Sequence, residues 1–346
     1  MPESSSPPPT LGEQSARVFG FMRGLHATHF LELGVRLGLF EALAAGPLTP
    51  EALAAARGFH PPYVRAFCDL GFHLEVLEHA GEAFRLAPHM DRLLARPQDA
   101  FYLGGFPRVH LTVSRDYALY PEAFRTGSVH PYQAHDRDFL EDVAGATRML
   151  PGQLLETLGP RLPGLLMKLM GGGRVLDVGC GAGHALVAFA ERFPRVRGAG
   201  IEIEPVSAAL ARENIRARGL QERLQVYEGW EGAAAAAGAF DLVTQFLVLH
   251  EIRPELKQDV IGRCAAALAP GGLLVLFDEC RPVDDAAARE PMLGFALVAQ
   301  WFELVWGNVI NTREEILALM QGAGLQPAED VAVGRFRILT ARKPEA

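Results

Sequence analysis

The chain has 346 residues, enough for two domains or one large one, and a hydrophobic content of 49% allows proper cores. A formal net charge of -8 repels nucleic acid at long range, which argues against a general polyanion binder. The four cysteines lie far apart without a C-x-x-C pair or a Cys/His cluster, so we expect no disulfide framework, no metal site and a reducing, cytoplasmic location.

The N-terminal third predicts a small helical domain. Residues 1–10 are rich in Ser and Pro and predict a disordered tail rather than a signal peptide. Residues 11–98 predict helices, one of them capped by Thr49 with Pro50 in its first turn, followed by a hairpin around Gly81. Three helices and a hairpin wing form a winged helix.

A winged helix often binds DNA, so a transcription regulator is one function to weigh. The helix in the recognition position offers Tyr63, Arg65 and Asp69, whereas a major-groove helix normally presents several basic or amide side chains. Its charge does not suit DNA. No apolar run is long enough to span a membrane, so we expect neither a nucleic acid nor a membrane as partner.

The first helical segment carries more apolar side chains than a small domain can cover. They are Phe19, Phe21, Met22, Leu25 and Phe30. A contiguous apolar patch of this kind normally marks a subunit contact. We therefore expect a homodimer formed through the N-terminal helices.

From residue 171 strand and helix patterns alternate to the end, as in a Rossmann-like doubly wound parallel sheet of the α/β class. The apolar run 174–178 predicts a buried strand, and it ends in three glycines at which the backbone can turn sharply and approach a ligand, Gly179, Gly181 and Gly183. A dinucleotide fingerprint would need its third glycine at His184. The spacing G-x-G-x-G, led by Asp177, favours a different nucleotide-type cofactor.

This motif resembles motif I of the class I S-adenosylmethionine (SAM) methyltransferases. Residues 31–40 and 48–54 resemble the N-terminal domain of the two-domain small-molecule O-methyltransferases. The resemblance implies SAM as cofactor, a winged-helix dimerisation domain in residues 11–98, a helical linker and substrate lid in 99–170, and a SAM-binding catalytic domain in 171–346. It implies a SAM-dependent methyltransferase that acts on a small metabolite, with O-methylation of an aromatic or polyketide-like acceptor.

Further residues complete the predicted cofactor site. Glu202 follows the next predicted strand about 20 residues after the loop, where a carboxylate can accept both ribose hydroxyls. Trp230 stands where the family usually has Gly-Asp, and two roles stay open for it, stacking on adenine or packing in the core. Gln245 is the remaining cofactor candidate. For the substrate we single out Tyr132 and His135, which lie in a polar loop, and Trp301.

The catalytic candidates follow the fourth and fifth predicted strands. His250 matches the histidine of the family's His-Asp-Trp motif, with Glu251 and Ile252 in place of the other two residues. Glu279 matches the glutamate that orients this histidine, so we expect His250 to take a proton and Glu279 to accept its other N–H. A second orienting glutamate would fall near Ile310 and is absent.

The missing glutamate leaves two alternatives open. In one, His250 is a packing residue that lines the pocket. In the other, the fold is kept and bound SAM assists a chemistry that transfers no methyl group.

Overall fold

The computed structural model describes residues 8–233, without the side chain of Ala233, and residues 238–345. These residues fall into two compact units that divide between Leu111 and Thr112. Most of the predicted disordered tail lies outside the described residues. Within them, no helix is both long enough and apolar enough to cross a membrane.

The first unit consists of helices and one hairpin. Its elements are α1 (Leu11–Arg36), α2 (Leu39–Ala44), α3 (Pro50–Arg57), α4 (Pro61–His73), β1 (Leu77–Ala80), β2 (Ala83–Leu86), α5 (Met90–Leu94) and α6 (Gly105–Val113), whose last two residues belong to the second unit. Thr49 caps α3 by accepting the N–H of Ala52 at 3.2 Å, and Pro50 is the first residue of that helix. The strands β1 and β2 pair antiparallel around Gly81 at φ 66°. The predicted cap and hairpin are confirmed.

The long helix α1 has one buried end and one exposed stretch. Phe30 is buried and stacks on Phe67 of α4, with ring centroids 4.4 Å apart. The prediction that Phe30 belongs to the exposed apolar patch is therefore wrong, because this ring fills the core of its own unit. The other four members of the patch, Phe19, Phe21, Met22 and Leu25, are exposed, and the neighbouring Val18 is exposed as well.

The second unit alternates helices and strands around one sheet. Its helices are α7 (Tyr120–Thr126), α8 (Arg137–Thr147), α9 (Leu150–Leu158), α10 (Pro163–Met170), α11 (His184–Arg192), α12 (Pro205–Ala217), α13 (Trp230–Ala233), α14 (Pro254–Ala267), α15 (Asp285–Arg289), α16 (Phe295–Glu303) and α17 (Arg313–Gly322). Its strands are β3 (Arg174–Val178), β4 (Arg197–Ile201), β5 (Leu224–Tyr227), β6 (Phe240–Phe246), β7 (Leu268–Asp278), β8 (Gln326–Val333) and β9 (Phe336–Arg342).

The seven strands lie in the order β5-β4-β3-β6-β7-β9-β8. The first five are parallel, so the carboxyl ends of β3, β4, β6 and β7 meet at one edge. The predicted doubly wound sheet is confirmed, with one difference. The last two strands are antiparallel, and β8 was not predicted because its sequence is polar and its position at the sheet edge leaves much of it exposed.

Candidate active site

The glycine loop between β3 and α11 has a backbone that only glycine adopts readily. Gly179, Gly181 and Gly183 have φ values of 70°, 50° and 75°. A Cβ on Gly179 would lie 2.6 Å from Val248, whereas a Cβ on Gly181 would meet no atom within 4 Å. The space next to the Gly181 backbone is therefore open, and a side chain at this position would fill it.

Glu202 is joined to this loop. Its Oε2 accepts the N–H of Gly181 at 2.8 Å, and its Oε1 accepts the N–H of Glu204 at 2.9 Å. The side chain is buried, and burial raises the pKa of Glu202 although these hydrogen bonds oppose the shift. Each carboxylate oxygen keeps a lone pair for a further donor. A carboxylate beside bare glycine backbone is an arrangement that suits a ribose with two free hydroxyl groups.

Asp177, the acidic residue before the glycines, lies deeper than the loop. It is 2% exposed and accepts the hydroxyl proton of Thr244 at 2.7 Å. Burial raises the pKa of Asp177 to about 7, although the Thr244 hydrogen bond opposes the shift. The contact joins β3 to β6, which supports the strand that carries the loop.

The other two predicted cofactor residues lie in different surroundings. Gln245 is buried in β6, where its Nε2 lies 3.6 Å from the sulfur of Cys264 on α14 and its Oε1 has no hydrogen-bond partner. Its side chain thus points into the layer beneath α14. Trp230 is half-buried and packs against the main core of the sheet, so its contacts agree with the core alternative and leave adenine stacking untested.

His250 lies at the same sheet edge, in a short 3-10 turn after β6. Leu247 adopts a positive φ of 57°, which turns the chain away from the strand direction. Nδ1 of His250 then lies 2.6 Å from Oδ1 of Asp278, the last residue of β7. Asp278 also accepts the N–H of Leu249 at 3.1 Å and that of Glu279 at 2.8 Å. Asp278 is therefore held rigidly against the ring.

The contact predicted between His250 and Glu279 is not what the structure contains. Glu279 follows Asp278 directly, and its Oε1 lies 2.8 Å from Nη1 of Arg335, whose guanidinium also lies 4.5 Å from the ring centre of Phe295. Burial raises the pKa of Glu279 to about 7, against the influence of Arg335. Consecutive residues at the end of a strand point in opposite directions, so only Asp278 can face the histidine.

A carboxylate that the sequence analysis missed lies at the other side of the ring. Oε1 of Glu303, the last residue of α16, is 3.7 Å from Nε2 of His250. Its Oε2 accepts an N–H of the Asn308 side chain at 2.7 Å. The signal in the sequence was a lone acidic residue at the end of the apolar segment 295–303. The acidic group expected near Ile310 is thus supplied from a different element.

Two carboxylates determine the charge of His250. Burial by itself lowers the pKa of His250, but Asp278 and then Glu303 outweigh it and raise the pKa well above its ordinary value. His250 is 4% exposed, and both acidic residues beside its ring are buried as well. The two carboxylates therefore favour the charged form of the His250 ring, against the effect of burial.

Tyr132 lies near both parts of the site. Burial raises its pKa well above the ordinary value, and the carboxylates of Glu251, Glu202 and Glu303 add to the shift. Glu202 lies beside the glycine loop, whereas Glu251 and Glu303 lie beside His250. The phenol of Tyr132 therefore lies within the electrostatic range of both.

The other two predicted substrate residues are engaged in packing. Nε2 of His135 lies 2.8 Å from Asp116, and its ring stacks on Phe139 with centroids 3.7 Å apart. Trp301 packs on Tyr120 at 4.8 Å, and the hydroxyl of Tyr120 donates to its carbonyl oxygen. The structure does not bring these two residues to His250. In the described part of the chain, no group of three or more His, Cys, Asp or Glu residues is arranged to hold a metal ion.

Comparison with known proteins finds relatives of the segment that runs from the glycine loop to His250 and of longer parts of the chain. A family model described as a methyltransferase domain matches residues 175–272. A 3-hydroxy-5-methyl-1-naphthoate 3-O-methyltransferase from Streptomyces sahachiroi is 28% identical over 279 residues, which cover 78% of this chain and 80% of that protein. Aclacinomycin 10-hydroxylase RdmB from Streptomyces purpurascens is 32% identical over 162 residues, 46% of this chain and 41% of that protein.

The solved structures agree on the fold. The structure of human N-acetylserotonin methyltransferase in complex with SAM has a TM-score of 0.65 against this chain, with 19% identity. The match covers 99% of this chain and 100% of that one. The likeness therefore extends over both units and includes the N-terminal helices. The matched methyltransferase domain includes the glycine loop, Glu202 and His250.

Proposed function

Because the chain belongs to the class I SAM-dependent methyltransferases of the two-domain type, we propose that it methylates a hydroxyl oxygen of a small aromatic or polyketide-like metabolite. The observation that carries this proposal is the cluster of His250, Asp278 and Glu303 at the sheet edge where the glycine loop ends. A histidine and a carboxylate that lie side by side can hold a hydroxyl group and remove its proton. The naphthoate methyltransferase among the relatives supports an aromatic acceptor.

We propose that the glycine loop and Glu202 hold the cofactor. Gly181 leaves room for close approach, and Glu202 offers lone pairs to the two ribose hydroxyls. Asp177 supports the strand below, and Trp230 is kept as the residue next to adenine. We leave Gln245 out of this site because its side chain contacts Cys264. Bound SAM would supply a methyl group attached to a positively charged sulfur.

On the acceptor side we propose His250 and Glu303 as catalytic residues, with Asp278 as the residue that positions the ring. Tyr132 would line the acceptor pocket, since it lies in the field of Glu202 and Glu303. Glu279, His135 and Trp301 receive no catalytic or substrate role in this proposal, because each is engaged elsewhere. Holding the acceptor oxygen against the methyl carbon would supply much of the rate.

A second candidate keeps the fold and the cofactor but transfers no methyl group. Its support is the similarity to RdmB, which is a hydroxylase. The regulator alternative has less support, because the single Arg or Lys of α4, Arg65, forms an ion pair with Glu51. Mass spectrometry of the product separates the enzymatic alternatives, since methyl transfer adds the mass of one methylene group and hydroxylation adds that of one oxygen.

We also propose a homodimer formed through α1. Val18, Phe21, Met22 and Leu25 follow one another at helical spacing, and each of them is exposed. Residues 11–98 would then act as the dimerisation domain, 99–170 as linker and lid, and 171–346 as catalytic domain. The cysteines are free in the described structure, which supports a cytoplasmic location.

The experiment that tests the proposed function measures cofactor binding and product formation separately. Isothermal titration should show binding of SAM and S-adenosylhomocysteine to the whole protein. Incubation with SAM and a set of hydroxynaphthoates should then give O-methylated product. Binding without a methylated product from any phenolic acceptor would count against the acceptor class, and absence of binding would count against the cofactor site.

A further inference from the structure

Residues 308–311, which we call the strap, lie between α16 and α17 and contact His250. The N–H of Val309 donates to the carbonyl oxygen of His250 at 3.2 Å. Asn308 contacts Glu303 twice, because its backbone N–H donates to the Glu303 carbonyl at 3.1 Å and its Nδ2 donates to Oε2 at 2.7 Å. One short segment of chain therefore holds both the backbone of His250 and the carboxylate of Glu303.

Lys257, on α14, is joined to the strap by its ammonium group. Its Nζ donates to Oδ1 of Asn311 at 2.6 Å and to the carbonyl oxygen of Val309 at 3.1 Å. The residue is 3% exposed. Val309 is thus held from two directions, since its N–H donates to His250 and its carbonyl oxygen accepts from Lys257.

Two further contacts join the strap to its own neighbourhood in the chain. The side chain of Gln300, on α16, accepts the N–H of Ile310 at 2.8 Å and donates to the carbonyl oxygen of Asn308 at 3.1 Å. The N–H of Arg281, just after β7, donates to the carbonyl oxygen of Asn311 at 2.8 Å. Lys257 differs from these because α14 packs into the main core of the sheet. It therefore connects the strap to the least mobile part of the unit.

A lysine is a costly residue at this buried position. Taking an ammonium group out of water costs free energy that hydrogen bonds to neutral oxygens only partly offset. In the part of the chain that the structure describes, no carboxylate forms an ion pair with Lys257. Burial lowers the pKa of Lys257, against the influence of Asp278 and Glu315. An apolar side chain would fill the same place without this cost, so packing alone does not explain a lysine here.

We propose that Lys257 is a positioning residue for methyl transfer, which holds the strap so that Glu303 keeps its distance from the His250 ring. The inference rests on the methyl transfer proposed above. Oε1 of Glu303 lies 3.7 Å from Nε2 of His250, and the strap is bonded to the backbone of both residues. Without the ammonium group the strap loses its connection to α14. A displacement of about 1 Å in an active site can lower a rate about 100-fold.

The first test measures the connection without substrate or cofactor, by hydrogen exchange and mass spectrometry of the whole protein. Lys257→Met keeps a long side chain but removes the donors. In this variant the N–H groups of residues 308–310 should exchange about tenfold faster or more, at unchanged exchange of the core strand β6. Equal exchange of residues 308–310 in the wild type and in Lys257→Met would overturn the proposal.

Lys343→Met is the matched control for this test. Nζ of Lys343 also donates to a backbone carbonyl oxygen, that of Leu268 at 2.7 Å. Leu268 is the first residue of β7, at the end of that strand opposite Asp278. Exchange of residues 308–310 should therefore stay as in the wild type. Faster exchange of these residues in both variants would assign the effect to a general loss of stability and overturn the proposal.

The second test separates positioning from stability. Lys257→Met leaves Oδ1 of Asn311 without its donor, so the melting temperature should fall. In the double variant Lys257→Met/Asn311→Leu both partners are apolar, and the melting temperature should rise again toward that of the wild type. Positioning predicts that kcat with a hydroxynaphthoate falls by about 10- to 100-fold in both variants, at nearly unchanged SAM affinity.

Two results of the second test would overturn the role of Lys257. One is a kcat that recovers in the double variant together with the melting temperature, and the other is a kcat that does not fall in either variant. If Lys257→Met does not fold, the double variant decides both tests. If the wild type methylates no acceptor, the proposed function fails, whereas hydrogen exchange still decides whether Lys257 holds the strap.

Discussion

The backbone N–H of Gly181 donates to Oε2 of Glu202 at 2.8 Å, so the turn after β3 and the carboxylate after β4 form one unit at the sheet edge. The space that a side chain of residue 181 would occupy is open. The two halves of the proposed cofactor site are thereby held at a fixed separation before any ligand binds.

Gly181→Val should weaken SAM binding by about 100-fold or more, because the new side chain enters the space beside the loop. Isothermal titration measures the affinity. Gly219→Val is the matched control: Gly219 also has a positive φ, 66°, and open space around it, but lies between α12 and β5. Both variants carry backbone strain of about 1–3 kcal/mol. An equal loss of affinity in both would assign the effect to strain and contradict the site.

His250→Ala should lower kcat by about 10²- to 10⁴-fold and leave SAM affinity nearly unchanged. It should also destabilise the fold, because the carboxylates of Asp278 and Glu303 lose the positive charge between them. Kinetics should therefore be measured well below the melting temperature, with SAM affinity as the check on folding. His60→Ala, at an exposed histidine, is the control. A loss below about tenfold would make His250 a packing residue.

The stability of the fold should depend on pH through Asp177. The carboxyl group of Asp177 keeps its proton up to about pH 7 in the folded protein, whereas in the unfolded chain it loses the proton near its ordinary pKa of 3.8. The folded state therefore binds more protons between these two values, and stability falls as the pH rises through this range. Asp177→Asn cannot lose a proton, and its amide oxygen can still accept from Thr244.

We compare the free energy of unfolding of Asp177→Asn with that of the wild type at two pH values. The difference, variant minus wild type, should be about 1–3 kcal/mol larger at alkaline pH than at pH 5. Urea unfolding at both pH values measures the difference. The exposed Asp259→Asn should show no such gain. A constant difference between Asp177→Asn and the wild type at the two pH values would contradict the raised pKa of Asp177.

The proposed dimer predicts that charge on α1 separates the subunits. Phe21→Glu combined with Leu25→Glu places two carboxylates on one exposed stripe, and burying them at an interface would cost several kcal/mol. Sedimentation velocity should show a dimer for the wild type and a monomer for the double variant. Tyr63→Glu, at an exposed aromatic of α4, should stay dimeric. A wild-type monomer at micromolar concentration would remove the dimer from the account.

Local features of the fold could be predicted from the sequence because a few neighbouring residues determine them. The cap at Thr49, the hairpin at Gly81 and the turn of the glycine loop each depend on residue types that suit a specific backbone conformation. The position of Glu202 at a strand end beside the glycine loop could be predicted in the same way, since the strand before it is easy to recognise. These features needed no knowledge of distant contacts.

The histidine environment could not be predicted, because it depends on contacts between distant parts of the chain. The choice between Asp278 and Glu279 depends on which of two consecutive residues faces β6, and a shift of one residue reverses the answer. Glu303 comes from a helix that follows β7, and nothing local shows that α16 brings its last residue to His250. Phe30 was misplaced for a similar reason, since its partner Phe67 lies on another helix.

The most direct measurement of methyl transfer is the ratio of methylated product to S-adenosylhomocysteine when SAM labelled in its methyl group is incubated with the enzyme and hydroxynaphthoates. The account predicts equal amounts of the two, with the label on the product oxygen, and loss of both in Gly181→Val. S-adenosylhomocysteine or altered acceptor without labelled product would contradict it.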